Sequence, residues 1–261
     1  MNLSTKILIA LGLGIIAGLQ LGAEGAAFAK AWIGPMGTIF MNLIKMVIVP
    51  LVFSSLVMGV CGLGDVKKLG RIGFKTIALY LFTTAFAIAL GIAFGVLVEP
   101  GAGLNMSTEG LKVTAKAAPP IMKVIIDIFP TNPLGAMVKA NMLQIILFAL
   151  FVGVGIVAVG EKAEALKNTI DGLAEVCYKM VGIIMSFAPI GVFGLITPVV
   201  AANGPAVLLP LLKVIICVYV GCLLHALIVY GALVATLGKT SPLSFFKGIA
   251  PASILAFSSC S

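Results

Sequence analysis

Tyr80, Thr83 and Thr84 stand at positions i, i+3 and i+4 of an apolar run, so on a helix their three oxygen atoms share one face. A hard cation such as Na⁺ takes several oxygen ligands, and membrane proteins assemble them from side chains and opened backbone carbonyls. In the competing arrangement each threonine bonds back to a carbonyl of its own helix while the tyrosine sits at an interface. Spacing alone favours that second arrangement. Another cluster closes the chain: Ser258, Ser259, Cys260 and Ser261. Hydroxyls and free backbone N–H groups at a helix break near mid-membrane suit a carboxylate, and a frayed end without a role is the alternative. Lys45, one turn after Asn42, lies well inside an apolar run, where an ammonium must snorkel, pair or line a wet crevice. Lys213 is nearer the start of its run and reads as snorkelling, and Asp127, before Pro130-Thr131-Asn132-Pro133, reads as part of a solvated turn.

Other chemistries find no support. The sequence holds no Walker-type phosphate loop, no HExxH and no GxSxG. The ionisable groups inside apolar runs (Lys45, Glu175, Lys179, Lys213 and His225) form no Ser/His or carboxylate pair, so catalysis is not expected. The five cysteines are an odd count without close metal-ligand spacing, and Cys217 and Cys222 lie in an apolar run where a thiol acts as a small hydrophobe. His225 shares that run and builds no metal site alone. No cofactor is called for.

The elements that carry these residues belong in lipid. Of 261 residues, 61% are hydrophobic and 10% charged, and the mean hydropathy is +1.22. Soluble domains carry roughly a quarter charged residues. The net charge of +8 does not point to nucleic acid, because the basic residues are spread along the chain and Arg71 is the only arginine. Lys6 followed by Ile7 to Leu21 has the outline of a leader, but no small-residue cleavage site follows, and a first membrane helix is the better reading.

A span needs about 20 apolar residues. The first is Leu3 to Leu21, closed by Gly22 and a short loop from Ala23 to Lys30. Ala31 to Gly62 follows, long enough to need tilt or a kink, which Pro50 supplies. Ile77 to Val98 is third, ended by Glu99-Pro100-Gly101, and Ala102 to Ala118 is a polar connector. A broken piece, Pro119 to Ile128, leads to Leu143–Val159, then to a charged loop, Glu161 to Lys167. Leu173 to Val200 is interrupted at Pro189-Ile190-Gly191, and Val207 to Leu237 is apolar except for Lys213 and His225. Leu243 to Phe257 is short for a span and suits the first arm of a re-entrant hairpin. The result is an all-α polytopic membrane protein of six transmembrane helices plus that arm. Lys67, Lys68, Arg71, Lys75, Lys162, Lys167, Lys239 and Lys247 fall on the side of the N-terminus against Lys30, Lys112 and Lys116 on the other, so the N-terminus is expected in the cytoplasm. Gly14, Gly18 and Gly22 recur every four residues, a spacing that permits close helix contact but occurs widely. The abrupt end after Ser261 reads as a truncation.

Several runs resemble the dicarboxylate/amino acid:cation symporters, the glutamate-transporter family. They are Lys45-Met46-Val47-Ile48-Val49-Pro50-Leu51-Val52-Phe53, Tyr80-Leu81-Phe82-Thr83-Thr84-Ala85-Phe86, Asp127 to Gly135, Gly172-Leu173-Ala174-Glu175 and Ala188-Pro189-Ile190-Gly191-Val192-Phe193. The likeness covers essentially the whole chain in order. It implies a homotrimer with scaffold helices at about 3–62 and 119–200, and a mobile transport part at about 70–98 and 205–261 that moves as an elevator. It implies symport of a small dicarboxylate or acidic amino acid with Na⁺, H⁺ being the alternative. Tyr80, Thr83 and Thr84 fall on family positions that help bind a coupling Na⁺, and Ser259, Cys260 and Ser261 on a hairpin tip that contacts substrate. The family's seventh helix with its Asn-Met-Asp motif, second hairpin and eighth helix have no counterpart in these residues, and Cys260 stands where some members carry arginine. The rival expectation, from another class, is a non-transporting membrane scaffold or channel-like remnant.

Overall fold

The computed structural model describes residues 2–63, 66–101 and 120–259, and among them every regular element is helical. Cys260, Ser261 and the connector 102–118 lie outside the described residues. The helices are α1 (Leu3–Phe28), α2 (Gly34–Leu63), α3 (Val66–Val98), α4 (Ile121–Asp127), α5 (Pro133–Val138), α6 (Met142–Val159), α7 (Glu164–Ser186), α8 (Ala188–Asn203), α9 (Leu208–Leu224), α10 (Gly231–Thr236) and α11 (Pro242–Ser259). Four stretches are long and apolar enough to cross a membrane: Leu3–Gly62, Ala78–Val98, Met142–Ser186 and Pro205–Thr236. Ala188–Asn203 is a shorter apolar helix. The chain is a membrane protein.

By its contacts the chain divides into two compact units: Met1–Thr38, Lys75–Met106 and Ala188–Ser261 form one, and Ile39–Phe74 and Ser107–Phe187 the other. In the first, α1 packs on α8 through glycine. Gly14 and Gly18 are buried, and a Cβ on Gly18 would stand 2.7 Å from Val200 Cβ and 2.8 Å from the Thr197 carbonyl oxygen. Thr197, fully buried, donates its hydroxyl to the Phe193 carbonyl at 2.8 Å within its own helix and lies 3.2 Å from the Gly14 carbonyl across the crossing. Thus two members of the glycine series make the contact, and the third does something else. Gly22 adopts φ 56° and ψ −168°, a conformation that side chains disfavour, and breaks α1 there.

The loop expected over Ala23–Lys30 is instead helical: α1 resumes after Gly22, and a π-helical turn, Ala29–Ile33, joins it to α2. Alanine and glycine there are too small to raise hydropathy, yet alanine is the best helix former. The second unit gathers Val57 and Cys61 of α2, Ala149 and Ile156 of α6, and Ala163 and Ile170 around one apolar cluster. Gly153 admits α2 closely: a Cβ there would be 2.7 Å from Val60 Cβ. Phe53 and Phe148 stack with centroids 5.7 Å apart.

The Pro130–Pro133 break opens α5, where Asn132 accepts the Gly135 N–H at 3.1 Å and Pro133 takes the first turn. Gln144 of α6 donates its side-chain amide to the Asp127 carbonyl at 2.7 Å and so closes the end of α4. The stretch Glu161–Lys167 is not a loop. A 3₁₀ turn, Gly160–Ala163, leads directly into α7, which starts nine residues before the expected Leu173. α7 buries Ile170, Ala174, Cys177 and Ile184, and leaves Lys167, Asp171, Glu175 and Lys179 exposed along its other side. α7 ends before Phe187 and α8 begins at Ala188, so Pro189 falls in the first turn of α8, where its missing N–H costs nothing.

Candidate functional site

α3 carries the hydroxyl face. Its Ala78–Val98 portion is continuous, free of proline, and apolar enough to cross a membrane. The residues therefore keep their helical phase, and Tyr80, Thr83 and Thr84 fall within one turn. Their environments differ. Tyr80 is 68% exposed and Thr83 only 7%, while Thr84 is half-buried. The Thr83 hydroxyl donates to the Tyr80 carbonyl at 3.0 Å, the back-bonded geometry anticipated as the alternative to a cation site. The two are compatible. A hydroxyl has one proton and two lone pairs, and committing the proton to the helix leaves the oxygen able to accept, which is what a cation ligand requires. Phe82 and Phe86, with ring centroids 5.7 Å apart, add apolar bulk to the same helix.

The other predicted cluster is placed only by its backbone. Ser259 is the last residue of α11, a helix that contains Pro251, and Cys260 and Ser261 fall outside the described residues. The Thr83 hydroxyl thus meets only the backbone of Tyr80, and among the described residues no hydrogen bond links Tyr80 or Thr83 to α11. Lys45 is exposed, as snorkelling would need. Lys213 is half-buried on α9.

A feature not anticipated from sequence lies between α3 and α9: a cavity of about 540 Å³ with Leu90, Gly91 and Phe94 on one wall and Cys217, Gly221 and His225 on the other. His225 opens a π-helical turn, His225–Tyr230. Its ring meets Tyr230 edge to face at 5.0 Å, and its Nδ1 is buried without a hydrogen-bond partner among the described residues. The nearest available signal was the glycines: Gly91 and Gly95 on α3 and Gly221 on α9 leave the space that Phe94, 3.9 Å from a Cβ built on Gly221, partly fills.

Comparison with known proteins places this helical set. The sequence profile of the sodium:dicarboxylate symporter family matches residues 3–261. The chain is 36% identical over 279 residues to the proton/glutamate-aspartate symporter of Escherichia coli K12, covering all of this chain and 62% of that protein. It is 35% identical over 268 residues to the proton/sodium-glutamate symport protein of Geobacillus stearothermophilus, covering 63% of it, and 32% identical over 270 residues to the one of Bacillus subtilis 168, covering 62%. The chain therefore spans about three-fifths of the length of these curated relatives. With a profile match running from the third residue to the last and an all-helical, membrane-capable structure beneath it, the chain belongs to the sodium:dicarboxylate symporter family.

Proposed function

We propose that this chain is part of a secondary symporter that moves a small dicarboxylate or acidic amino acid across the cell membrane, driven by Na⁺ or H⁺. The observation that carries the reading is the family match over residues 3–261, together with relatives named as glutamate or glutamate-aspartate symporters. The names of these relatives include both protons and sodium, so the coupling ion is decided on this chain by residues. Thr83 supports sodium: it is buried, its proton is engaged by Tyr80, and its oxygen stays free to accept. In this reading Tyr80, Thr83 and Thr84 contribute to a cation site, and Ser259, Cys260 and Ser261 to an anion site. Cation and anion then stabilise one closed state, which makes the transport of each depend on the other.

The same proposal includes six crossings and a re-entrant arm. Two of the four apolar stretches, 60 and 45 residues long, are about 90 Å and about 68 Å as helix, each more than a single bilayer passage needs. It also includes a homotrimer, an elevator division into scaffold (about 3–62 and 119–200) and transport parts (about 70–98 and 205–261), and a cytoplasmic N-terminus. The test is uptake of labelled glutamate or succinate by vesicles holding the full-length protein, with and without a Na⁺ gradient. Thr83→Ala should abolish Na⁺ stimulation while Thr83→Ser, which keeps the hydroxyl, retains it. Unchanged Na⁺ stimulation in Thr83→Ala removes Thr83 from the site, and absence of uptake for any dicarboxylate or acidic amino acid removes the function.

A further inference from the structure

A second cavity, of about 420 Å³, lies within the unit built on α2, α6 and α7. Its walls divide by chemistry. Ile156 and Val157 supply an apolar side, the buried Cys61 lies beside them, and Glu161, Glu164 and Lys167 supply two carboxylates and one ammonium. It sits where two apolar helices stop together: Cys61 is two residues from the end of α2, and α6 ends at Val159 before the charged turn Gly160–Ala163. An apolar helix end followed by a charged turn is the pattern expected where hydrocarbon gives way to headgroups. None of the three charged residues has an ion-pair partner among the described residues, although all three border the same space.

We propose that this cavity holds the headgroup of a membrane lipid with a primary amine, a phosphatidylethanolamine. The headgroup is a zwitterion whose ammonium answers Glu161 and Glu164 and whose phosphate answers Lys167, each through charge-assisted hydrogen bonds. One acyl chain then lies along Ile156 and Val157. Phosphatidylcholine matches the charges but has no N–H to donate, and phosphatidylglycerol offers no cation to the carboxylates. Of the two sources of this chemistry, lipid and free phosphoethanolamine, the apolar wall selects the lipid. This assignment is independent of the cation site on α3.

The experiment is native mass spectrometry of the full-length protein released from vesicles of equimolar phosphatidylethanolamine and phosphatidylcholine, repeated with phosphatidylglycerol in place of the latter. The expected result is ethanolamine-lipid adducts favoured about tenfold over each competitor, which corresponds to about 1.4 kcal/mol. Glu161→Gln with Glu164→Gln, and separately Lys167→Met, should each bring the ratio near one. These side chains are exposed, so the variants are expected to fold, and either one suffices. As a second readout, peptide-level alkylation of Cys61 by N-ethylmaleimide should be slower in ethanolamine-lipid vesicles than in pure phosphatidylcholine. Equal adducts in the wild type, or an unchanged preference in the variants, overturns the proposal. Displacement of the lipid by free phosphoethanolamine at equal concentration overturns the choice of lipid.

Discussion

Replacing Gly18 by alanine tests the packing of α1 on α8 with a control built into the same helix. The added Cβ would lie 2.7 Å from Val200 Cβ and 2.8 Å from the Thr197 carbonyl, whereas ordinary contact begins near 3.4 Å. The two helices must therefore part by about 0.7 Å, or Val200 must leave its rotamer. Neither neighbour is a flexible tip, since one is a β-carbon and the other backbone. Overpacking of this kind costs about 1–3 kcal/mol, and where the better helix propensity of alanine returns its full ~1 kcal/mol a net loss of up to about 2 kcal/mol remains. A Cβ placed on Gly12 would meet no atom within 4 Å, so Gly12→Ala receives the propensity gain without the clash. Apparent melting temperatures of the purified protein in one detergent should fall for Gly18→Ala and hold or rise for Gly12→Ala. Two variants that melt alike would refute a close glycine contact between α1 and α8 in the folded membrane protein.

Gln144→Ala removes the donor to the Asp127 carbonyl; a loss of about 1 kcal/mol is expected, read as faster amide exchange over Ile121–Asp127 with α6 unaffected. Gly160 holds φ 70° and ψ −137° at the end of α6, so Gly160→Ala should cost about 1–2 kcal/mol, whereas Gly172→Ala, inside α7 with open space around it, should gain up to about 1 kcal/mol; thermal melts that rank these two the other way would contradict the backbone at Gly160. Thr197→Val removes a buried hydroxyl that serves its own helix at 2.8 Å and faces the Gly14 carbonyl at 3.2 Å. The expected cost is about 1–2 kcal/mol, and it should be smaller when Gly18→Ala is already present because the two share one contact.

What the amino-acid pattern made legible follows from what hydropathy measures. It reports preference for lipid, so the long apolar runs around Leu3–Leu21, Ile77–Val98 and Leu143–Val159 were plain, and the Pro130–Pro133 break was plain from proline's missing N–H. It does not report helicity. Ala23–Lys30 and Glu161–Lys167 therefore read as loops although their alanine, glutamate and lysine are strong helix formers. The π-helical turn at His225 was invisible for a different reason: an extra residue in a helical turn is set by what packs beside it. The same holds for the site. Position put Tyr80, Thr83 and Thr84 on one turn, but only coordinates show the Thr83 proton committed to Tyr80. The cavities arise between helices distant in sequence, so no local spacing announces them.

Four of the charges exposed along α7 bear on how the chain enters the bilayer during synthesis. Lys167, Asp171, Glu175 and Lys179 recur every four residues; Lys167 lies nearest the headgroups, and the three deeper charges, at no more than about 2.5–3.5 kcal/mol each, carry a combined insertion penalty of up to about 10 kcal/mol. Alone at the translocon, α7 would be passed over as a stop-transfer sequence. α6, with no charge from Met142 to Val159, inserts readily and offers the surface on which Ile170 of α7 is buried with Ala149 and Ile156. The two helices are therefore expected to partition as a hairpin, with α6 waiting beside the translocon until the tight turn at Gly160 delivers its partner. A reporter fused after Ser186 should change sides when α6 is made polar, even though α7 itself is untouched.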